Sequence, residues 1–351
     1  MNKIARAVKE KGADGIIITS EVNRRYAAGF PSSDGLCLIT AEKSWFFTDS
    51  RYIEAAQAKI KNMEVLPVDR ENSYFSRVNK IICELGIKTL MYEDGRMTVS
   101  QYERYREKLQ CELVPAGELI EKIRAVKTTD EIEIMIQAQR IAEKSFNEIL
   151  PEISTDITEK QLAAKLIYRF LMNGAENVSF DPIVVSGARS SMPHGVPTDE
   201  KIQPGFLTMD FGVIYKGYCS DTTRTVCVGK PTGEMVRVYN TVLEAQLAGV
   251  ETARAGALGR DIDGAGRRVI KNAGYGEYFG HSFGHCLGLE VHEMPSASPS
   301  YDREIPAGAV ISAEPGIYLP GKFGVRIEDV LIIREGGCDD ITLLPKELLC
   351  I

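Results

Sequence analysis

Three of the four histidines in this 351-residue chain, His281, His285 and His292, fall within the stretch GHSFGHCLGLEVHE. Imidazole ligates metals and moves protons near neutral pH, so clustering it in a histidine-poor chain points to a reactive site. His281 and His285 are spaced i, i+4, as in the helical zinc-peptidase motif. That motif needs a glutamate directly after the first histidine, and here the residue is Ser282. Gly280, Gly284 and Gly288 would each cost roughly 1 kcal/mol in a helix. The stretch is therefore expected to be extended or looped, and its chemistry needs partners from elsewhere in the chain.

Two pairs of carboxylates could answer the histidines. The segment LTMDFGVIYKGYCSDTTRTVCVG reads as a β-hairpin, β-rich on both sides of YKG. With a two-residue turn at Tyr215-Lys216, residue 214 pairs with 217 and Asp210 faces Asp221, their Cβ atoms roughly 4.5–5.5 Å apart on one face. Such a pair repels itself unless a cation lies between. A three-residue turn using Gly217 would shift the register by one, and a solvent-exposed acidic pair is the alternative. The second pair lies in AVISAEPGIYLPGKFGVRIEDVLII, where two β-branched segments flank a Gly/Pro-rich loop and carry Glu314 and Glu328. Glutamate in such apolar context is rarely buried without a partner. Arg326 lies two residues before Glu328 and should share its face of the strand, so a structural Arg-Glu pair is the other reading. Taken together, four carboxylates and one histidine have the makings of a two-metal site, in which four negative charges balance two divalent cations and a water is easily deprotonated. The hard, oxygen-rich set fits Mn²⁺ or another first-row divalent ion better than a structural zinc.

The elements that must position these residues follow from hydrophobic period. Up to about Pro115, the runs GIIIT, GLCLIT, SWFFTD, EVLPV, TLMYE and CELVP read as strands, with TAEK as the hairpin turn between the second and third. RYIEAAQAKI and YFSRVNKIICEL are helical in period. This predicts a small α/β domain over residues 1–122. A long helix is predicted next, because Thr128 with Glu131 makes a capping box and Ile134, Ala138, Ile141 and Ala142 recur on one face. It opens a second domain, 123–351. There, DITEKQLAAKLIYRFLMNGA and GRDIDGAGRRVIKNAGYG look alike, each closing on a glycine (Gly174, Gly274) suited to a helix C′ position and each preceding strand-rich sequence. That hints at two similar halves.

Bulk properties narrow the function. With 44% hydrophobic and 26% charged residues the chain can bury the cores of two domains. A net charge of −7 without a Lys/Arg block argues against nucleic acid or an anionic membrane as partner. The N-terminal MNKIARAVKEKGADG puts charges where a signal peptide is apolar, and no apolar run approaches the roughly 18 residues of a membrane helix, so a cytoplasmic protein is expected. The eight cysteines are scattered with no Cys-x-x-Cys pair and should be free, mostly buried thiols.

MDFGVIYKGYCSDTTRT, GHSFGHCLGLEVHE, SAEPGIYLPGKFGVRIED and SGARSSMPHG resemble the successive motifs of the Xaa-Pro peptidases, aminopeptidase P, prolidase and their relatives, and NRRYAAGFPSSDG and FTDSRYIEAA resemble that family's N-terminal domain. The resemblance covers nearly the whole chain. It implies a creatinase-like α/β domain followed by a pita-bread α+β metallopeptidase domain, a homodimer, and peptide substrates with proline at the second position. It further implies two divalent metal ions, Mn²⁺ first, with Co²⁺, Zn²⁺ or Fe²⁺ as alternatives. Asp210 would bind one metal, Asp221 and Glu328 would bridge both, and His285 and Glu314 would complete the set. His194, His281 and His292 would be unliganded helpers, His281 lining the pocket for the proline ring and His292 near the scissile carbonyl, where it would steady the oxyanion. Glu314 would also shuttle a proton to the leaving nitrogen, and Arg326 is carried with these as a catalytic candidate. Three positions depart from the family pattern: Cys286 stands where glycine is common, Ala313 where a larger or polar residue is usual, and Ser312 where threonine is. Cys286 is read as a space-filling buried thiol or, alternatively, as a thiolate ligand.

Substrate length turns on one position. Many prolidases of this kind carry an arginine soon after His-Glu-x-Pro, holding the free carboxylate of a dipeptide. Here the motif reads HEMPSASPSYDRE, with Ser296 after the proline and Arg303 as the nearest arginine. An Xaa-Pro aminopeptidase is therefore expected, with an Xaa-Pro dipeptidase and a non-catalytic binding module as rivals.

Overall fold

The computed structural model describes residues 3–351, which divide into two units, one ending at Arg124 and the other spanning Ala125–Ile351.

The first unit runs α1 (Lys3–Glu10), β1 (Gly15–Ile18), α2 (Glu21–Ala28), β2 (Leu36–Thr40), β3 (Ser44–Thr48), α3 (Ile53–Lys59), β4 (Glu64–Pro67), α4 (Tyr74–Leu85), β5 (Thr89–Tyr92), α5 (Val99–Lys108), β6 (Glu112–Pro115) and α6 (Leu119–Ala125). Its six strands form one mixed sheet in the order β4-β3-β2-β1-β5-β6. All six predicted strands and both predicted helices are present, and the TAEK turn joins β2 to β3 with Ile39 opposite Ser44. The strands read as unbroken apolar runs because both faces are covered. Ile16, Ile18, Cys37, Ile39 and Phe46 join one core, while Ile17, Leu36, Leu38, Trp45 and Phe47 join the other.

In the second unit, α7 (Thr129–Ile149) begins at the predicted capping box: Thr128 Oγ1 accepts the Glu131 N–H, and the Glu131 carboxylate accepts the Thr128 N–H. Then follow α8 (Glu159–Met172), β7 (Asn177–Val178), β8 (Ile183–Ser186), β9 (Gly205–Phe211), β10 (Val213–Tyr215), β11 (Tyr218–Cys219) and β12 (Thr222–Val228). The other half runs α9 (Gly233–Thr252), α10 (Gly259–Asn272), β13 (Gly284–Cys286), β14 (Glu293–Ala297), β15 (Val310–Ala313), β16 (Gly316–Leu319), β17 (Phe323–Arg326), β18 (Asp329–Arg334) and β19 (Gly337–Asp340). Each half thus has a long helix, a second helix closed by a left-handed glycine (Gly174, φ 101°; Gly274, φ 88°), and antiparallel strands. The repeat hinted at by the two helix patterns is present at this level.

Alternation on β9 separates core from site. Leu207, Met209 and Phe211 pack with Ala138, Ala142 and Phe146 of α7 and Leu162 and Leu166 of α8. The intervening Thr208 and Asp210 turn to the opposite face, as a period of two requires. In the other half, Phe283 sits in a slot between α9 and α10. A Cβ at Gly266 would lie 2.7 Å from its ring, and one at Gly249 closer still. The Phe283 N–H donates to buried Asp263, itself held by Arg267. The segment between His281 and His285 is thereby pinned; it is not helical, as the glycine content implies, but irregular up to Phe283 and a strand from Gly284. Among the described residues, no helix is long and apolar enough to cross a membrane.

Candidate metal centre

The hairpin register differs from the sequence expectation. The turn is Lys216-Gly217, not Tyr215-Lys216, so Tyr215 pairs with Tyr218 and Asp210 faces Thr223 rather than Asp221. Both turn residues have positive φ, 47° and 86°, the requirement of the two-residue hairpin turn whose twist matches its strands. Gly217 meets that requirement without strain, whereas Tyr215 would not. The shift amounts to two residues, and a two-residue shift preserves the face. Asp221 accordingly remains a diagonal neighbour of Asp210, and both line the same cleft.

That cleft has a volume of about 470 Å³. Asp210 on β9 and Asp221 just before β12 come from the first half; His285 on β13, Glu314 just after β15 and Glu328 between β17 and β18 come from the second. Ligand atoms of Asp221, His285 and Glu328 lie within 4.8 Å of one another. His285 Nε2 is 3.2 Å from Glu314 Oε1 and 3.7 Å from Asp221 Oδ2. His285 Nδ1 faces the Cys286 carbonyl at 3.2 Å, a contact that leaves Nε2 as the nitrogen aimed at the carboxylates. All five expected ligand residues thus line one cleft, together with His194, His281 and His292.

The electrostatics are those of a site built for cations. Burial, and then Asp210, push the Asp221 carboxyl well above the usual range; burial, and then Asp221, do the same for Glu328. Burial also raises Asp210, against the opposing pull of Arg326. Glu314 goes the other way: burial would raise it, but the hydrogen bond and charge of His285 hold it at about 2. His285 is raised to about 9, its burial outweighed by Glu314 and Asp221. Asp210 Oδ1 and Glu328 Oε1 are buried without a hydrogen-bond partner. Buried carboxylate oxygens are otherwise paired, so two orphans among the four carboxylates lining one cleft fit the coordination of divalent ions.

Arg326 does not form the Arg-Glu pair that is the alternative reading of this strand. Its Nη2 donates to Asp210 Oδ2 at 2.6 Å, and its Nε to Thr223 Oγ1, which in turn donates to Glu328 Oε2 at 2.7 Å. A threonine hydroxyl thus stands between the arginine and the glutamate. Arg326 Nη1 also donates to the Tyr318 hydroxyl, which lies 2.8 Å from His281 Nε2, while His281 Nδ1 faces the Ser282 carbonyl. In that arrangement Tyr318 donates onward to a neutral His281, whose pKa is lowered chiefly by burial. His292 is also lowered, by burial and then by the charge of His285, with the two rings 4.4 Å apart. Ser312 Oγ accepts the His285 N–H and donates to Glu314 Oε1, tying two candidate ligands together. Thr223, Tyr318 and Ser312 are functional neighbours that sequence reasoning missed as such. The true register would have exposed Thr223, opposite Asp210; nothing in the local pattern marks the other two.

Cys286 is turned away from the carboxylates and touches Lys127 instead. Arg303, the nearest arginine to the His-Glu-x-Pro motif, does not line the cleft; its guanidinium lies over the Tyr301 ring.

Two similar halves of helices and antiparallel sheets, bringing four carboxylates and a histidine to one cleft, define a pita-bread metallohydrolase. The chain belongs to metallopeptidase family M24, which residues 133–335 match, while residues 1–126 match the creatinase/prolidase N-terminal domain. It is 42% identical to the Xaa-Pro dipeptidase from Bacillus anthracis, with a TM-score of 0.95 over 99% of this chain and 98% of that one. The X-Pro aminopeptidase from Thermotoga maritima is 37% identical, with a TM-score of 0.93 over 99% and 100% of the two chains. The Xaa-Pro dipeptidase of Pyrococcus furiosus is 36% identical over 99% of each.

Proposed function

We propose that this hydrolase is a two-metal Xaa-Pro aminopeptidase, releasing the N-terminal residue that precedes a proline. The observation that carries the metal assignment is the pair of buried, unpartnered oxygens, Asp210 Oδ1 and Glu328 Oε1, within the five-residue ligand set. Asp210, Asp221, His285, Glu314 and Glu328 would hold the two ions. The hard donors favour Mn²⁺. When bound, such ions polarise the scissile carbonyl and activate a water.

The remaining work falls to the chain. His292, whose pKa is lowered chiefly by burial, can offer an N–H to the carbonyl oxygen as negative charge develops there. Glu314, which lines the cleft 3.2 Å from His285 Nε2, can accept a proton and pass it to the proline nitrogen as that leaves. His281, fixed through Tyr318 and Arg326, lines the space for the proline ring. The bond before proline has no N–H to grip, so recognition has to come from such ring contacts.

The aminopeptidase reading over the dipeptidase one is supported by charge. Among the described residues lining the cleft, Arg326 is the sole Arg or Lys, and it is engaged by Asp210. Ser296, in the position of the prolidase arginine, turns its hydroxyl to the Gly284 carbonyl. Without a cation to hold a carboxylate directly after proline, a charged hydrogen bond worth about 1.5–3 kcal/mol is missing. The test is kcat/KM for Xaa-Pro against Xaa-Pro-Yaa and longer peptides with the same N-terminal residue. Tripeptides and longer peptides should be cleaved at least as well as the dipeptide; a dipeptide preference of about tenfold, equivalent to 1.4 kcal/mol, would make the enzyme a prolidase.

A further inference from the structure

Lys127 precedes the long helix α7 and is not part of the ligand set, yet its side chain is only 1% exposed. Its ammonium lies 3.1 Å from Cys286 Sγ and 3.2 Å from Glu293 Oε2, and the Glu293 side chain is itself 5% exposed. These two contacts are opposed residues. Cys286 pairs with Glu293 across β13 and β14, whereas His285 pairs with Ser296, so the ladder breaks between His285 and Cys286. A break of this kind re-aims side chains and removes backbone hydrogen bonds that would otherwise fix them. Each contact also sits one residue from a histidine of the cleft: Cys286 follows His285, and Glu293 follows His292. The Cys286 carbonyl is the atom that faces His285 Nδ1.

We propose that Lys127 is a positioning residue of the active site, clamping the interrupted β13–β14 register so that His285 and His292 keep their relative placement. The anchor is itself held: the Lys127 N–H donates to the Gly308 carbonyl, and the next residue caps α7. Burial works against the ammonium, but Cys286 and Glu293 outweigh it and keep Lys127 charged. A buried ion pair adds little net stability, because desolvation offsets most of the attraction, but it fixes geometry and is costly to break from one side. Cys286 therefore does more than fill space, since its sulfur is one of the two points the clamp holds. The roles assigned here to His285 and His292 rest on the function proposed above.

The test uses the full-length protein with two variants. Lys127→Met keeps the length and removes the charge. Lys127→Met/Glu293→Gln also removes the carboxylate that the first change strands, and it carries the same test if the single variant is recovered unfolded. Metal content, the visible spectrum with Co²⁺ as probe, Tm, and kcat and KM are measured on each. Both variants should retain metal, show an altered Co²⁺ spectrum, and lose kcat by about 10–100-fold, the usual effect of removing an outer partner of a ligand, with KM changed much less. The double variant should regain Tm without regaining kcat. An unchanged spectrum with kcat within about twofold of the parent, or a kcat that returns together with Tm in the double variant, would overturn the proposal. The spectrum reads the clamp even if the parent protein cleaves no Xaa-Pro bond, so failure of the functional reading remains distinguishable.

Discussion

His281 and His285 are four residues apart in one short motif, yet their surroundings differ in ways that predict different phenotypes. The His285 ring faces Asp221 and Glu314, while the His281 ring nitrogens face the Ser282 carbonyl and the Tyr318 hydroxyl. His285→Ala should therefore lose metal and activity together. His281→Ala and His292→Ala should keep their metal by elemental analysis; the latter should lose about 10²–10³-fold in kcat, as removal of an oxyanion donor does. A His281→Ala protein that purified without metal would show the motif to be misassigned. The charged members of the site were legible in the sequence because a glutamate or aspartate inside an apolar strand demands an explanation. Thr223, Tyr318 and Ser312 were not, because hydroxyl residues are ordinary in strands and carry no such penalty when solvated.

At the scale of elements, period and capping were readable, and register was not. The helix at Thr128 and the strands of the first unit follow from patterns repeated over many residues. The hairpin hung on which two residues of YKG make the turn, a choice set by φ rather than by hydrophobicity. Pairing of Arg326 with Asp210 was equally out of reach, since it joins residues 116 positions apart. Packing of α9 on α10 around Phe283 supplies an element-level test. Gly249→Ala would push a methyl into the ring, and overpacking of this kind costs about 1–3 kcal/mol. Chemical denaturation should show that loss, accompanied by reduced activity, because the displaced ring lies between His281 and His285. Wild-type stability in this variant would mean the slot is slacker than described.

For the whole molecule, the ligand set links stability to pH and metal. A carboxyl whose pKa is higher in the folded than in the unfolded chain keeps its proton longer when folded, so stability falls as pH rises from the unfolded value upward. Asp221 and Glu328, raised well above 3.8 and 4.5, act in that sense. His285, raised from 6.5 to about 9, adds stability that is full below 6.5 and lost as pH climbs through about 9. Glu314, held at about 2, contributes stability that is lost only as pH falls below about 4.5. Metal-free protein should thus lose Tm between mildly acidic pH and about pH 9. Because metal binds the deprotonated ligands, Mn²⁺ should raise Tm more at about pH 8 than at about pH 5.5. A metal-induced shift that is the same at both would contradict this linkage.

The most direct measurement strips the protein with a chelator, verifies metal removal by elemental analysis, and follows cleavage of an Xaa-Pro peptide while Mn²⁺ is added back, in parallel with Asp221→Asn and Glu328→Gln. The account predicts no cleavage without metal, activity that saturates as two ions per chain are bound, and near-complete loss in both variants at any metal concentration. Full activity in protein shown to be metal-free would contradict it.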